Sequence, residues 1–195
     1  MPDPMVPVGD GHTSLAEEDR RGLIPSYIST RRELFEAEER NVSQALLGRQ
    51  ATVEQVLDDA YLRSLHHDMF GDVWDWAGHY RTRDTNIGVP FERIPGAVRA
   101  LVLDARTWVE CDTYPRDELA VRFHHRLVAI HPFPNGNGRH GRIAADHLIT
   151  GLGGEVFTWG AHSGKSIDEL RHIYLDALYT ADTGDEDPLL AFARS

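Results

Sequence analysis

One short stretch, HPFPNGNGRHGR at residues 131–142, constrains the fold more than any other part of the chain. It separates two segments with helical periodicity, residues 119–130 and 139–149. Pro132 removes a backbone donor and disfavours helical geometry at His131, so the first helix should end there. Glycines in the stretch permit a tight turn before the second helix starts. The sequence therefore predicts a buried helix, a sharp turn and a second helix in immediate succession.

The residues of this stretch suit a bound phosphate. Consecutive backbone N–H groups at the start of a helix attract anions. Arg139 and Arg142 lie three positions apart, so they share a helix face and can each hold phosphate oxygens with two hydrogen bonds. His131 supplies an imidazole that can act as a base near neutral pH. A plain helix–turn–helix joint with surface arginines would also fit the spacing, but it needs none of these polar residues together.

The stretch resembles the signature of Fic-domain proteins, His-Pro-Phe-x-(Asp/Glu)-Gly-Asn-Gly-Arg-x-x-Arg, and matches all of its fixed positions but one. The exception is Asn135, where nucleotide-transferring Fic enzymes usually carry a carboxylate that binds Mg²⁺. Pro134, Asn135 and much of the chain from roughly residue 15 to 180 are most similar to the small bacterial Fic branch called mobile mystery protein B. That branch implies a small, antitoxin-like DNA-binding partner encoded alongside, and a toxin-like or mobile-element role.

The resemblance implies a protein adenylyltransferase, which transfers AMP from ATP to a Ser, Thr or Tyr hydroxyl of a target protein. His131 would take the proton from the attacking hydroxyl. Asn135 could offer Mg²⁺ only a neutral carbonyl oxygen, so we expect weak metal binding there. The groups that would hold the phosphates are the backbone and amide of the turn and the two arginines: Gly136, Asn137, Gly138, Arg139 and Arg142.

Other classes of function stay open. The same pocket could transfer a different nucleotide or a phosphate, or it could bind a nucleotide or a partner without catalysis. A metal-dependent hydrolase is a weaker alternative, because adjacent histidines such as His66 and His67 point about 100° apart on a helix and seldom hold one ion. A phosphate-binding P-loop ending at Ser166 is weaker still, since the required first glycine is replaced by Trp159.

Composition excludes several settings. The formal net charge of −11 opposes direct binding to nucleic acid. No apolar run approaches the roughly eighteen residues of a membrane span. Cys111 is the single cysteine, so no internal disulfide can form, and a reducing cytoplasm is the expected location. Residues 1–13 lack the features of a signal peptide and are expected to be a disordered lead-in.

The predicted fold is an all-α bundle around the helix that ends at His131, with a small β-hairpin flap. We expect an N-terminal helical segment at residues 14–48, a Fic domain at 49–181 and an acidic tail at 182–195. Single helices are predicted for residues 52–70, 97–110 and 167–181, and residues 155–159 have the pattern of an isolated strand.

Two segments could act on the site. Many Fic proteins carry an inhibitory helix whose glutamate pairs with the second arginine of the signature. The helix at residues 30–47 departs from the sequence pattern of that helix, but Glu36 or Glu38 could pair with Arg142 in a shifted geometry. A solvated acidic face explains the same glutamates. At residues 82–92, turn-forming residues predict a hairpin flap that the resemblance would place over the site, where it pairs with the target as an added strand; an ordinary surface hairpin also fits. The flap residues are Thr85, Asn86, Ile87 and Gly88.

Overall fold

The computed structural model describes residues 17–47 and 50–195, which form helices joined by loops and contain no β-strand. The predicted all-α fold is confirmed. No helix within these ranges combines the length and the apolar content that crossing a membrane would need. The lead-in predicted for residues 1–13 lies outside the described residues. In chain order, the helices are α1 (Glu17–Arg20), α2 (Arg31–Leu46), α3 (Val53–Val56), α4 (Asp59–Phe70), a 3-10 turn (Phe91–Arg93), α5 (Ile94–Glu110), α6 (Arg116–Ile130), α7 (Asn137–Gly151), α8 (Ile167–Ala181) and α9 (Asp187–Ala193).

Helix α6 lies at the centre of the bundle and packs against α5, α7 and α9. It begins after Pro115, whose fixed φ suits a helix start, and it carries Asp117 and Glu118 in the first turn, where acidic groups favour the helix dipole. Its sequence is apolar on two sides, so it can be covered by two layers of helices. The buried residues are Leu119, Ala120, Val121, Phe123, His124, Leu127 and Ile130.

The two sides of α6 belong to two hydrophobic clusters. The larger cluster joins α6 to α2, α4, α5 and α7, with Phe70, Trp74 and Phe123 among its largest members. The smaller one joins α6 and α7 to α8 and α9 through Ile149 and Phe192. The signature stretch leaves α6 and enters α7 at the boundary between the clusters, which fixes it from both sides.

The segment at residues 182–195 corrects the predicted acidic tail. It forms α9, whose Leu189, Phe192 and Ala193 are buried in the smaller cluster. Glu186 just before it accepts a hydrogen bond from Arg122 of α6 at 2.6 Å. The prediction of a tail followed the acidic composition of the segment and gave too little weight to these three apolar residues, which share one helical face.

The region predicted as one helix at residues 52–70 contains two, α3 and α4. The break falls at Leu57 and Asp58. The Asp58 carboxylate accepts hydrogen bonds from the N–H groups of Ala60 and Tyr61 at 2.9 and 3.2 Å, and so caps α4. The Arg106 guanidinium donates to the Leu57 carbonyl at 2.6 and 3.0 Å, which satisfies the carbonyl exposed by the break. Apolar periodicity alone did not reveal a capping aspartate inside the segment.

The strand-like residues 155–159 form no strand in the described chain, and Trp159 has a left-handed φ of 49°. The N–H groups of Thr158 and Trp159 both donate to the Ala193 carbonyl, at 2.9 and 3.0 Å. The segment therefore runs along the end of α9. Ser166 caps α8 with Glu169 in a reciprocal capping box.

Candidate functional site

His131 is the residue at which α6 ends. Its φ of 55° places it in the left-handed region, and its N–H donates to the Leu127 carbonyl at 3.3 Å. The Arg81 guanidinium donates to the His131 carbonyl at 2.8 Å. The side chain is 5% exposed. The predicted helix end is confirmed, and the reversal directs the imidazole toward the start of α7.

Burial determines the protonation of His131. It lowers the pKa of the imidazole to about 4, and the positive charge of Arg81 acts in the same direction. A hydrogen bond with the Val128 backbone opposes the shift. The imidazole is therefore neutral at pH 7 and has the protonation state that a proton acceptor requires.

The turn before α7 is closed by Gly136, whose φ of 78° is also left-handed. A side chain there would meet the Phe70 ring at 2.6 Å, so glycine is required for two reasons. The side chain of Asn137 serves the loop: its Oδ1 accepts from the Phe133 N–H at 2.9 Å and its Nδ2 donates to the Phe133 carbonyl at 2.8 Å. These bonds assign the Asn137 side chain to the loop, and its expected use for phosphate stays a prediction.

The start of α7 has no side-chain cap. Its N-cap residue is Gly136, which has no side-chain acceptor, so the first N–H groups of the helix receive no side-chain hydrogen bond from that position. Asn137 and Gly138 are the first helical residues, and both line the cleft. An uncapped helix start at the floor of a cleft is a favourable place for an anion.

Asn135 offers little to a metal ion. Its Oδ1 already accepts a hydrogen bond from the Gly136 N–H at 2.7 Å. Within the described ranges, no group of three or more His, Cys, Asp or Glu side chains is arranged to hold an ion. A neutral oxygen that is already hydrogen-bonded fits Mg²⁺ poorly, because Mg²⁺ prefers carboxylate and phosphate oxygens in octahedral geometry.

Arg139 is held by α2. It forms ion pairs with Glu38 and, at 3.5 Å, with Glu39, and its guanidinium lies 4.8 Å from the centre of the Phe70 ring. Glu38 is 5% exposed, and its second oxygen accepts from the Trp74 indole N–H at 2.8 Å. The carboxylate is thus fixed between a tryptophan and an arginine.

Arg142 faces α8 instead. Its guanidinium lies 5.3 Å from the centre of the Tyr174 ring. The Tyr174 hydroxyl hydrogen-bonds with His124 Nε2 at 3.0 Å, inside the bundle. Burial raises the pKa of Asp146, one helical turn after Arg142, to about 6, although the positive charge of Arg142 lowers it.

These contacts correct the predicted inhibitory pairing. Glu36 forms an exposed ion pair with Arg32 at 2.8 Å, on the outer side of α2. Glu38 reaches the signature, but its partner is Arg139 rather than Arg142. Residues two apart on a helix point about 200° apart, so only one of the two glutamates can face the site. Sequence spacing could not tell which.

The flap segment lies beside His131, but the described residues do not form the predicted β-hairpin. Asp84 Oδ1 accepts from the Phe91 N–H at 2.9 Å, and Thr85 Oγ1 donates to the Ile87 carbonyl at 2.6 Å. Arg81 donates to the carbonyls of Arg83 and Val89. Side chains therefore form hydrogen bonds with the backbone groups that would pair across the strands of a β-hairpin.

Gly88 brings the same loop into contact with the signature. Its φ is 99°, and an added Cβ would lie 2.6 Å from the His131 Cβ. The Val89 N–H donates to the Ile130 carbonyl at 3.3 Å, and the Arg81 N–H donates to the Pro132 carbonyl at 2.9 Å. The loop thus covers one side of His131 by loop contacts instead of paired strands.

A cleft of about 620 Å³ brings the predicted residues together. One wall is α2 and the other is α8, and the start of α7 forms the floor. The signature residues that line it are His131, Asn135, Gly136, Asn137, Gly138, Arg139 and Arg142. The wall residues include Arg31, Leu34, Phe35 and Glu38 of α2, and Ile167, Leu170, Arg171 and Tyr174 of α8.

Sequence reasoning missed three residues that shape the site: Arg81, His66 and Tyr174. Arg81 is 4% exposed and donates to the His131 carbonyl. In the sequence, its position beside the flap segment was only a weak indication of this role. His66 contacts the backbone of the signature turn, and Tyr174 supports Arg142. Single polar residues on apolar helix faces have no pattern of their own, so the sequence could not distinguish them from core positions.

An imidazole, an uncapped helix start and two arginines lie around one cleft of an all-helical domain, an arrangement that favours an anion. Residues 56–149, which contain the whole signature and most of the larger cluster, match the model of the Fic/DOC family. The chain therefore contains a Fic/DOC family domain.

Known proteins extend the similarity beyond that segment. The chain is 29% identical over 161 residues to a protein named probable protein adenylyltransferase y4lH of Sinorhizobium fredii, covering 75% of this chain and 76% of that protein. It is 29% identical to the protein adenylyltransferase Fic of Aedes aegypti, over 59% of this chain but only 22% of the mosquito protein.

Solved structures share the fold. BepC of Bartonella tribocorum, determined with bound AMPPNP, superposes with a TM-score of 0.68 at 19% identity, covering 92% of this chain and 97% of that one. The N-terminal Fic domain of Bep8 from Bartonella sp. 1-1C gives a TM-score of 0.70 at 16% identity, with 90% and 95% coverage. At these identities the match concerns the fold alone.

Proposed function

We propose that this protein is a Fic-type protein adenylyltransferase that transfers AMP from ATP to a hydroxyl side chain of a target protein. The observation that carries the proposal is the meeting of His131, the uncapped start of α7 and both signature arginines in one cleft of about 620 Å³. The names of the Sinorhizobium and Aedes relatives support the same activity.

The transfer follows from the placement of these groups. The target hydroxyl oxygen attacks the α-phosphorus of ATP, its proton passes to the neutral His131 imidazole, and pyrophosphate leaves. Backbone N–H groups of Gly136, Asn137 and Gly138 stabilise negative charge on the phosphates. Arg139 and Arg142 neutralise the charge that develops on the leaving pyrophosphate. Bound phosphates also raise the pKa of the neighbouring imidazole, which strengthens it as a base.

Helix α2 controls the site in this proposal. Glu38 is the counter-ion of Arg139, so a phosphate that binds Arg139 must displace a carboxylate that is also held by Trp74. Glu39 adds a weaker competing charge at 3.5 Å. The helix therefore lowers the affinity for a productively bound triphosphate until α2 moves or Glu38 turns away.

Magnesium enters the proposal only with the nucleotide. The Asn135 oxygen fits the ion poorly, and no step above is routed through a metal. The phosphates of ATP are the better ligands and would bring Mg²⁺ to the site themselves.

The target is proposed to be a protein with an exposed Ser, Thr or Tyr hydroxyl. An antitoxin-like DNA-binding partner, a toxin-like role and membership of the mobile mystery protein B branch are proposals that rest on the resemblance of Pro134-Asn135 and the surrounding chain. A cytoplasmic location is proposed because the single cysteine, Cys111, is exposed as a free thiol, a state that a reducing compartment maintains.

The decisive experiment incubates the purified protein with ATP or GTP labelled on the α-phosphate and follows label on protein. Adenylyl transfer labels protein with ATP, transfer of another nucleotide labels it with GTP, and a binding module labels nothing while still retaining nucleotide. His131→Ala removes only the proton acceptor and should lower the rate on the order of 10²–10⁴-fold with nucleotide binding preserved. Undiminished labelling by this variant would reject the role of His131.

A further inference from the structure

We propose that His66 is a positioning residue for the phosphate-binding turn, and that it acts by holding the Asn135 carbonyl through its Nε2–H group. His66 lies in α4, sixty-nine positions before Asn135 and outside the signature. The inference rests on the proposed function of the cleft and extends it to a residue that touches no substrate.

Two hydrogen bonds fix the tautomer of His66. Its Nδ1 lies 3.0 Å from the Gly78 backbone nitrogen, and its Nε2 lies 3.0 Å from the Asn135 carbonyl oxygen. A backbone N–H can only donate, so Nδ1 must be the acceptor. A carbonyl can only accept, so Nε2 must carry the hydrogen. The ring is therefore a neutral bridge between the turn at Gly78 and the turn before α7.

Packing keeps the ring in this orientation. The imidazole is fully buried and stacks on the Phe133 ring, with centroids 3.7 Å apart and planes at 20°. The Phe70 ring lies 4.8 Å away on the same helix. Phe133 is in turn held through its backbone by the Asn137 side chain. His66 consequently cannot rotate without disturbing the loop that carries the signature.

The planar peptide between Asn135 and Gly136 connects His66 to the phosphate site. In a trans peptide the carbonyl and the following N–H point in opposite directions. Because His66 holds the carbonyl on the buried side, the Gly136 N–H is directed away from the core, where Asn135 Oδ1 accepts it at 2.7 Å. A phosphate oxygen can replace that amide oxygen only while the peptide keeps this orientation.

Two conservative variants separate the two ring nitrogens. In His66→Gln, the side-chain amide nitrogen lies near the position of Nε2 and can still donate to the Asn135 carbonyl. In His66→Asn, the amide reaches only the position of Nδ1, so its oxygen can accept from Gly78 while the Asn135 carbonyl is left unsatisfied. Each variant removes one buried hydrogen bond and the aromatic stack, which makes each the control for the other.

The measurements are kcat for ATP-dependent transfer, the Kd for ATP and the melting temperature of both variants. We expect similar melting temperatures, a kcat within about threefold of the wild type for His66→Gln, and a loss of tenfold or more for His66→Asn, on the scale at which small misplacements reduce catalysis. Equal losses of kcat in the two variants would overturn the positioning role and leave His66 as a core residue.

An independent measurement covers the case in which either variant fails to fold. Nitrogen NMR of the histidine rings in the wild-type protein should show His66 with a protonated Nε2 and an unprotonated Nδ1. The opposite tautomer would overturn the proposal. If the wild type transfers neither nucleotide, the proposed function fails, but ATP affinity still tests His66: the Kd should rise more for His66→Asn than for His66→Gln, and equal changes would count against it.

Discussion

Arg139 and Arg142 stand one turn apart on α7 and line the same cleft, yet they have different surroundings. Arg139 is paired with two carboxylates of α2, whereas Arg142 lies over the neutral ring of Tyr174 from α8. Removing a charged group from a partly buried ion pair is costly, but a ring contact leaves most donors of a guanidinium available. Arg139 can therefore bind phosphate only after it leaves its carboxylate partners, whereas Arg142 can bind phosphate directly.

The two walls differ in the same way. Helix α2 contributes Ala37 and Val42 to the larger hydrophobic cluster, and its polar contacts include Glu38 and the Asn41 side chain, which bonds with Asp68 and Asp72 of the α4 region at 2.9 Å each. Helix α8 shares a hydrophobic cluster with α6, α7 and α9. Displacing either helix would expose apolar residues, but α2 differs from α8 in that its carboxylates pair with a signature arginine. We therefore propose that α2 controls access to the cleft.

The largest effect is expected when each of the two arginines is replaced by alanine. Arg142→Ala should weaken ATP binding by about 10- to 100-fold, because hydrogen bonds to charged groups contribute about 1.5–3 kcal/mol each. AMP binding should fall much less, since the proposed partner of Arg142 is a terminal phosphate. Arg139→Ala should cost less ATP affinity than Arg142→Ala, because Arg139 must first leave Glu38. Titration calorimetry with both nucleotides checks the order, and a greater loss for Arg139→Ala would reverse the comparison.

Removing the charge of Glu38 should release Arg139. Glu38→Gln keeps an acceptor for the Trp74 indole but abolishes the ion pair, so we expect automodification to rise about tenfold, within the range of ordinary coupling free energies. Glu36→Gln is the matched control on the same helix, since Glu36 pairs with Arg32 on the outer side. Label incorporation and melting temperature are measured for both. Equal activity in the two variants would show that α2 does not restrain the site.

The sequence predicted only part of this contrast. The pattern around Pro132 and Gly136 predicted where α6 ends and α7 begins, because proline and left-handed glycine restrict the backbone locally. The acidic helix facing the signature was also predicted. The partner of Glu38 was not, because it depends on the rotation of α2 against α4, which no residue in α2 specifies alone.

The regions that sequence described poorly share a physical cause. Residues 82–90 have the composition of a hairpin, but the buried Arg81 binds the carbonyls that a second strand would use. Residues 182–195 have the composition of a tail, but their apolar face is complementary to α6 and α8. In each case a tertiary contact outweighed the local preference, and such contacts leave no periodic pattern.

A smaller effect is expected at Asn135, which lines the cleft just before the start of α7. Asn135→Asp keeps an acceptor for the Gly136 N–H and adds the charge that the wider family offers to Mg²⁺. The Mg²⁺ concentration for half-maximal transfer should fall, by less than a factor of ten, or about 1.4 kcal/mol. A Mg²⁺ titration of the transfer rate measures it. An unchanged or weaker response would indicate that the phosphates alone determine metal use.

The smallest expected effect is the change in protonation of His131 at acidic pH. Because burial lowers the pKa of His131 to about 4, its imidazole should show no protonation between pH 7.5 and 5.5 in the nucleotide-free protein. An ordinary histidine, with a pKa near 6.5, would become mostly charged over that range. NMR titration of the ring, assigned with His131→Ala, measures it. A midpoint near 6.5 would mean that His131 is solvated and that the loop at Gly88 does not enclose it.

The left-handed backbone of His131 also bears on selection for stability. Helices that end in this conformation favour glycine, and a side chain there costs on the order of 1–3 kcal/mol. Screening variants for heat resistance alone would therefore favour His131→Gly, which relieves the strain and removes the proposed proton acceptor. Keeping the imidazole therefore costs some thermal stability. A library of this chain selected for thermostability would need a second screen for transfer activity, so that inactive protein is not selected.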